Sequence, residues 1–335
     1  MPFERPLTDM SFATSFSCLC LFLLFHGCGA TRAVELKHKA AGNTPQTLAV
    51  YEAWFGLPKH ISVGYSTNNA ETVRSQMRKA KSLGITGFVV DWYGNREPFI
   101  DQSYAVIQKV AAKEKFSVAL MYTEGDTDEG ATDQVIADLT AFHDNYLLPN
   151  SPGHEAYLTY KGRPVIFVFP HGNHTDWAQV RTAVNKWSSP PWLMQENLPG
   201  PHPEAFDGFY PWVNPGPDGW AADGSHWGER YLRDFYKNMA EKYSDMIVVG
   251  GAWPQFDDSR AAWSLNRHIS ARCGQTYRDA LELWKEYFPP GQVIPFMLVQ
   301  TWNDYEEGSQ IETGIPTCTQ GPGKNLTSAQ STTTQ

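Results

Sequence analysis

Residues 300–308 read Gln300-Thr301-Trp302-Asn303-Asp304-Tyr305-Glu306-Glu307-Gly308 and close an apolar run. Two carboxyl groups three positions apart can divide acid and base work, one protonated to release a leaving oxygen and one ionised to activate the attacking group. On a continuing strand, side chains three apart point to opposite faces, so Asp304 and Glu307 share a pocket only if the chain turns. Gly308 marks a place to turn, and the turn is expected near Tyr305-Glu306. Other apolar runs end in the same mixture: Tyr51, Glu52 and Trp54; Asp91, Trp92 and Tyr93; Tyr122 and Glu124; His171; Glu196; Tyr210 and Trp212; Trp253 and Asp257.

Acids beside indole and phenol rings suit a sugar, whose C–H faces pack on aromatic rings and whose hydroxyls need charged or amide partners. Asp304 and Glu307 are therefore the candidate catalytic pair. Asp91, Glu124 and Glu196 are candidates for binding hydroxyls or for holding a proton on the acid. Trp54, Trp92, Tyr93, Tyr122, Trp212, Trp253 and Trp302 are candidates for stacking on the substrate, with Asn303 and Tyr305 flanking the acids. Each aromatic is as well explained by core packing, and each single strand-end acid by solvation on a loop. Asp257 fits either a pocket or a helix start, and Asp258 reads as a cap. No GxSxG elbow, GxGxxG fingerprint or GxxxxGK[ST] loop occurs, and His and Cys never fall at metal-ligand spacing.

The elements that must position these residues follow one rhythm. Short runs rich in β-branched and aromatic residues, at 47–55, 86–93, 116–123, 163–169, 191–195, 206–213, 245–252 and 293–302, alternate with segments of helical periodicity. The helices are expected at 70–83 with Asn69 as cap, 99–115, 132–146, 175–187, 227–243 and 276–287, with none in the Pro-rich link between the fifth and sixth runs. Eight strands in this alternation predict an α/β fold, a single (β/α)8 TIM barrel over residues 45–315, whose active face is the C-terminal end of its strands.

Residues 17–25 form an apolar stretch followed by Gly27, Gly29, Ala30 and Ala33, so residues 1–33 read as a signal peptide, with an uncleaved anchor as the rival. Residues 316–335 read as a disordered tail. A secreted or lumenal protein is expected. Cys18, Cys20 and Cys28 fall in the leading segment, which leaves Cys273 and Cys318, either paired or free. Asn173-His174-Thr175 and Asn325-Leu326-Thr327 are sequons that permit N-glycosylation. With 27 basic and 36 acidic side chains, a net charge of −9 and no basic run, the chain lacks the footprint of a nucleic-acid or lipid-surface binder. A membrane enters only if the leading segment is uncleaved or Cys28 is lipidated, and a monomer is expected.

The segment from Thr301 to Glu312, Thr301-Trp302-Asn303-Asp304-Tyr305-Glu306-Glu307-Gly308-Ser309-Gln310-Ile311-Glu312, resembles the closing barrel motif of glycoside hydrolase families 71 and 99, the α-1,3-glucanases and the endo-α-mannanases or endo-α-mannosidases. Tyr51-Glu52-Ala53-Trp54-Phe55-Gly56, Asp91-Trp92-Tyr93-Gly94 and Tyr160-Lys161-Gly162-Arg163-Pro164-Val165 are similar to the same group, so the likeness spans residues 47–315. It implies a glycosidase barrel acting on an oligosaccharide or polysaccharide with α-linkages, without metal or organic cofactor. Glu307 matches the general acid. Asp304 matches the second carboxylate, a Glu in family 99 proposed to deprotonate the sugar 2-hydroxyl and give retention through an epoxide-like intermediate. Asp304 is one methylene shorter, and the Asn-Asp-Tyr-x-Glu order is closer to family 71, which inverts; both outcomes stay open. A carbohydrate-binding barrel without turnover and a hydrolase for another exported polymer are the rival readings.

Overall fold

The computed structural model describes residues 44–125, 130–172, 174–214, 226–289, 291–292 and 294–318. The signal or anchor reading of residues 1–33, nearly all of the expected tail, and the sequon residues Asn173 and Asn325 lie outside them.

Eight parallel strands close into a barrel: β1 (Gln46–Glu52), β2 (Gly87–Trp92), β3 (Ser117–Thr123), β4 (Arg163–Phe169), β5 (Trp192–Glu196), β6 (Gly208–Tyr210), β7 (Ile247–Ala252) and β8 (Phe296–Val299). Each pairs with its neighbour in chain order, and β8 pairs with β1, in register from Gln46 opposite Phe296 to Ala49 opposite Val299. The expected (β/α)8 barrel is the observed one. A two-residue strand, Thr159–Tyr160, runs antiparallel to the start of β4.

Among the described residues, six α-helices cover the outside: α1 (Ala70–Ser82), α2 (Pro98–Glu114), α3 (Ala131–Phe142), α4 (Trp177–Val184), α5 (Glu229–Lys242) and α6 (Gln275–Leu283). Asn69 caps α1 as expected, its side-chain oxygen accepting the N–H groups of Glu71 and Thr72. Asp176 does the same for α4. A single 3-10 turn, Pro203–Ala205, fills the Pro-rich link between β5 and β6. Cys273 and Cys318 are bonded, with Cα atoms 4.8 Å apart, which ties the segment after β8 to the start of α6.

The two-residue period of the strands splits the apolar residues into two cores. Leu48, Val50, Val89, Ala119, Met121, Val165, Phe167, Met194, Tyr210, Val249, Phe296 and Leu298 fill the barrel interior. Residues of opposite parity, such as Ala49, Tyr51, Phe88, Val90 and Leu120, pack outward against Val73, Met77, Tyr104, Leu139 and other helix residues. Continuing the inward parity past the apolar layers reaches Glu52 after Leu48 and Val50, Asp91 after Val89, Thr123 after Met121, Phe169 after Phe167 and Glu196 after Met194. The strand pleat itself carries these groups to one end of the barrel.

Candidate active site

That end opens into a cavity of about 1070 Å³. Glu52, Asp91, Glu196, Asp304 and Glu307 line it, together with Trp54, Tyr93, Trp212, His60, Trp263 and Arg267. Large size, aromatic walls and convergent polar groups are the marks of a small-molecule or oligomer site. Among the described residues, no group of three or more His, Cys, Asp or Glu is placed to hold a metal ion.

Asp304 and Glu307 reach the cavity because β8 ends early. The strand stops at Val299, six residues before Tyr305, and the chain turns over Tyr305–Gly308, where the turn is expected. Hydrogen bonds from Thr301 N–H to the Ser309 carbonyl (3.1 Å) and from Ser309 N–H to the Asp304 carbonyl (3.1 Å) then close a compact loop. Within it Asp304 Oδ1 accepts the N–H groups of Glu306 and Glu307, each at 2.9 Å. Gly308 takes a φ of +61°, the left-handed region that favours glycine, and a Cβ there would crowd the Asp257 backbone at 3.1 Å. Burial pushes both carboxyl groups up; for Asp304 the neighbouring Glu307 charge adds to it and the two N–H donors oppose it, while for Glu307 the Trp263 indole and the Arg267 guanidinium oppose it.

Three further acids crown the inward columns. Asp91 accepts hydrogen bonds from the Thr123 hydroxyl and from Tyr93 Oη (2.7 Å), and burial still raises it. Glu52, 2% exposed, is raised by burial and then by the charges of Asp91, Asp304 and Glu307. Glu196 is pushed by burial up to about 7, against a hydrogen bond from Asn197 Nδ2 at 2.6 Å. Burial raises all five acids, and mutual repulsion adds to it at Glu52 and Asp304, so the site favours bound protons and its interacting members titrate together.

The aromatic expectations divide between the cavity and the packing behind it. Trp54, Tyr93 and Trp212 line the cavity: Trp54 stacks on His60 (4.7 Å between rings), and Trp212 meets Phe169 edge-on at 5.1 Å. Trp92, Tyr122, Trp253 and Trp302 are fully buried and do not line it, which corrects the stacking role expected of them. Trp92 and Tyr122 follow inward-facing Asp91 and Met121 by one residue, so they face the helices. Trp92 donates to Asp101 (3.2 Å), and Tyr122 donates to Asp138 (3.0 Å). Trp253 donates to the Trp227 carbonyl at 2.8 Å, and Trp302 packs on Phe88 with ring centres 5.3 Å apart.

Three more expected binding residues also stand behind the wall. Glu124 accepts the His171 N–H (2.8 Å) and the Thr175 hydroxyl, so it shapes the loop after β4. Tyr305 donates to Glu312 at 3.0 Å. Asn303 is fully buried and binds the Glu52 backbone. Asp257, and not Asp258, is the cap: it accepts the Ser259 N–H at 3.0 Å at a short 3-10 turn. Asp258 is instead the buried anchor of residues 258–267, accepting from Ser264, Leu265 and, twice, Arg267.

Sequence reasoning passed over His60, Trp263 and Arg267. His60 pairs with Glu306 at 2.8 Å, and Trp263 Nε1 donates to Glu307 Oε1 at 2.9 Å. All three sit on loops without periodicity, and nothing local marks them.

The architecture is thus that of a (β/α)8 barrel with an acidic, aromatic-walled mouth. Solved structures with this fold include the GH99 endo-α-mannosidase from Bacteroides thetaiotaomicron in complex with BIS-TRIS-propane, 18% identical with a TM-score of 0.62 over 80% of this chain and 86% of that one. A second structure of that bacterium's GH99 endo-α-mannosidase is 16% identical, with a TM-score of 0.60 over 80% and 87% of the two chains. A glycoside hydrolase-like protein is 13% identical, with a TM-score of 0.59 over 81% and 87%. In fold the chain is a GH99-like TIM barrel. No protein-family model and no curated protein matches it.

Proposed function

We propose that the protein is a glycoside hydrolase that cleaves α-linked glycans, a mannan or a glucan, with Glu307 as general acid and Asp304 as the second carboxylate. The observation that carries this reading is that both acids open on one cavity walled by Trp54, Tyr93, Trp212 and Trp263. Glu307, whose hold on its proton is strengthened by burial, gives that proton to the glycosidic oxygen as the bond from that oxygen to C1 breaks, and the leaving sugar departs as an alcohol. Asp304, raised by burial and by the Glu307 charge, has Oδ1 fixed by two N–H donors that oppose that rise, and in its ionised form it takes the proton of the attacking group, either water or the sugar's own 2-hydroxyl. Asp91, Glu196 and Glu52 suit sugar hydroxyls. The fold likeness to endo-α-mannosidases supports an α-linkage and endo action. The disulfide between Cys273 and Cys318 supports an oxidising, extracytoplasmic setting.

The test is reducing-end release from a panel of α-mannans, α-glucans and aryl α-glycosides. Glu307→Gln should lower turnover by about 10²–10⁴ fold, with the melting temperature kept or raised because one acid of a crowded set is neutralised. Equal turnover in that variant would remove Glu307 from the mechanism. If no substrate is cleaved but glycans quench tryptophan fluorescence, the barrel binds without turnover. Proton NMR of the first-formed anomer separates retention from inversion.

A further inference from the structure

Trp263 stands apart from the other aromatic residues of the site. It lines the cavity yet is 44% exposed, one of three large hydrophobic residues left exposed among those described. Its position is nevertheless fixed. The segment 258–267 is clasped by the buried Asp258 carboxylate, which takes Arg267 N–H and Nε at 2.8 and 2.7 Å and Leu265 N–H at 3.1 Å. The flanking residues Phe256–Asp257 and His268–Ile269 pair as an antiparallel ladder. The indole meets Trp54 edge-on at 6.5 Å and donates to Glu307 at 2.9 Å. An exposed ring on a braced loop, with its one polar atom committed to an acid, has a face to offer and little freedom to lose on binding.

We propose that Trp263 is the leaving-group platform of the site, stacking on the sugar ring that departs while its Nε1–H holds Glu307 in line with the bond to be broken. The inference rests on the glycosidase reading above and adds direction to it. A general acid stands beside the leaving oxygen, so an indole hydrogen-bonded to that acid lies on the leaving side. Glu307 and Trp263 come from the loops after β8 and β7. Opposite β8, the end of β4 carries Phe169, which packs on Trp212, and this side of the mouth receives the sugar that is attacked. A platform on the leaving side favours substrates whose departing portion is itself a sugar.

The experiment compares W263F, which keeps a ring and loses the N–H, with W263A, which loses both. The substrates are whichever of α-mannotetraose and α-glucotetraose the wild type cleaves, and the glycosyl fluoride of the same sugar, whose leaving group neither stacks nor needs full protonation. On the tetraose, W263A should raise KM about tenfold, while W263F should hold KM within about threefold and lower kcat about tenfold, the scale of a misplaced proton donor. The N–H bond favours the ionised acid, so W263F should also move the basic limb of the pH–rate profile to higher pH. On the fluoride both variants should lose less than on the tetraose. A wild type that cleaves the tetraose while W263F keeps its kcat and its basic limb, or variants that lose equally on both substrates, would overturn the inference alone. A wild type that cleaves neither substrate removes the glycosidase reading as well.

Discussion

Asn303 grips the backbone of Glu52 from both sides, accepting its N–H at 2.8 Å and donating to its carbonyl at 3.0 Å. The two residues are 251 positions apart, and the grip joins the end of β1 to the loop that carries Asp304 and Glu307. Asn303→Leu should destabilise the protein by about 2–4 kcal/mol, two buried backbone groups losing their partners. It should also lower kcat more than KM, because the acids lose their register against Glu52. Urea unfolding and steady-state kinetics measure the two effects, and an unchanged midpoint would show the grip to be without weight.

Asp304→Asn keeps an oxygen that can accept the N–H groups of Glu306 and Glu307, so the loop should survive. It cannot take a proton. Turnover should fall by about 10²–10⁴ fold, with the melting temperature within a few degrees of wild type. Asp304→Glu, which adds a methylene, tests reach: activity above that of Asp304→Asn means the loop tolerates the longer base, and activity no better means the base position is fixed by the two N–H bonds.

Glu196 makes stability fall as pH rises. Its folded value of about 7 lies above the ordinary 4.5, so between those values the folded state holds more protons than the unfolded one, and stability declines through that window. Above pH 7 the full cost remains, on the order of 3 kcal/mol. The raised Glu52, Asp91, Asp304 and Glu307 act in the same direction. Wild type should therefore melt higher at pH 5 than at pH 8, and Glu196→Gln should narrow that difference by raising the pH 8 value. Parallel melting curves for the two proteins across this range would refute the assignment.

Breaking the disulfide should cost stability without touching the mouth. It closes 45 residues, from Cys273 to Cys318, and chain entropy alone gives about 4 kcal/mol for a loop of that size. Cys273→Ser, or wild type in dithiothreitol, should melt several degrees lower, and reductant should leave the variant unchanged. A drop in the variant on adding reductant would mean that another thiol pair matters.

Much of the architecture was legible in the chain. Period-2 apolar runs and the helical segments between them named all eight strands and six helices, because strand pleat and helix pitch are local properties of the backbone. The ends were less sharp: β8 stops at Val299 where the run continues to Trp302, although Trp302 N–H still bonds to the Val50 carbonyl of β1. Strand-end position also brought Asp91 and Glu196 forward, and the closing motif brought Asp304 and Glu307.

Composition at a strand end could not say which of two adjacent residues looks inward. Asp91 lines the cavity and Trp92 packs on the helices, a difference fixed by which face of the pleat the closed barrel turns toward its axis. Nor could it place Trp263 and His60, whose loops follow no period and are held by Asp258 and Glu306 through contacts made only after folding. The sequence by itself determined the succession of strands and helices and the acid pair on the last strand's loop. Closure of the ring decided the membership of the cavity, because β8 pairing with β1 is what sets residues some 250 positions apart within hydrogen-bond reach, and no local pattern encodes that distance.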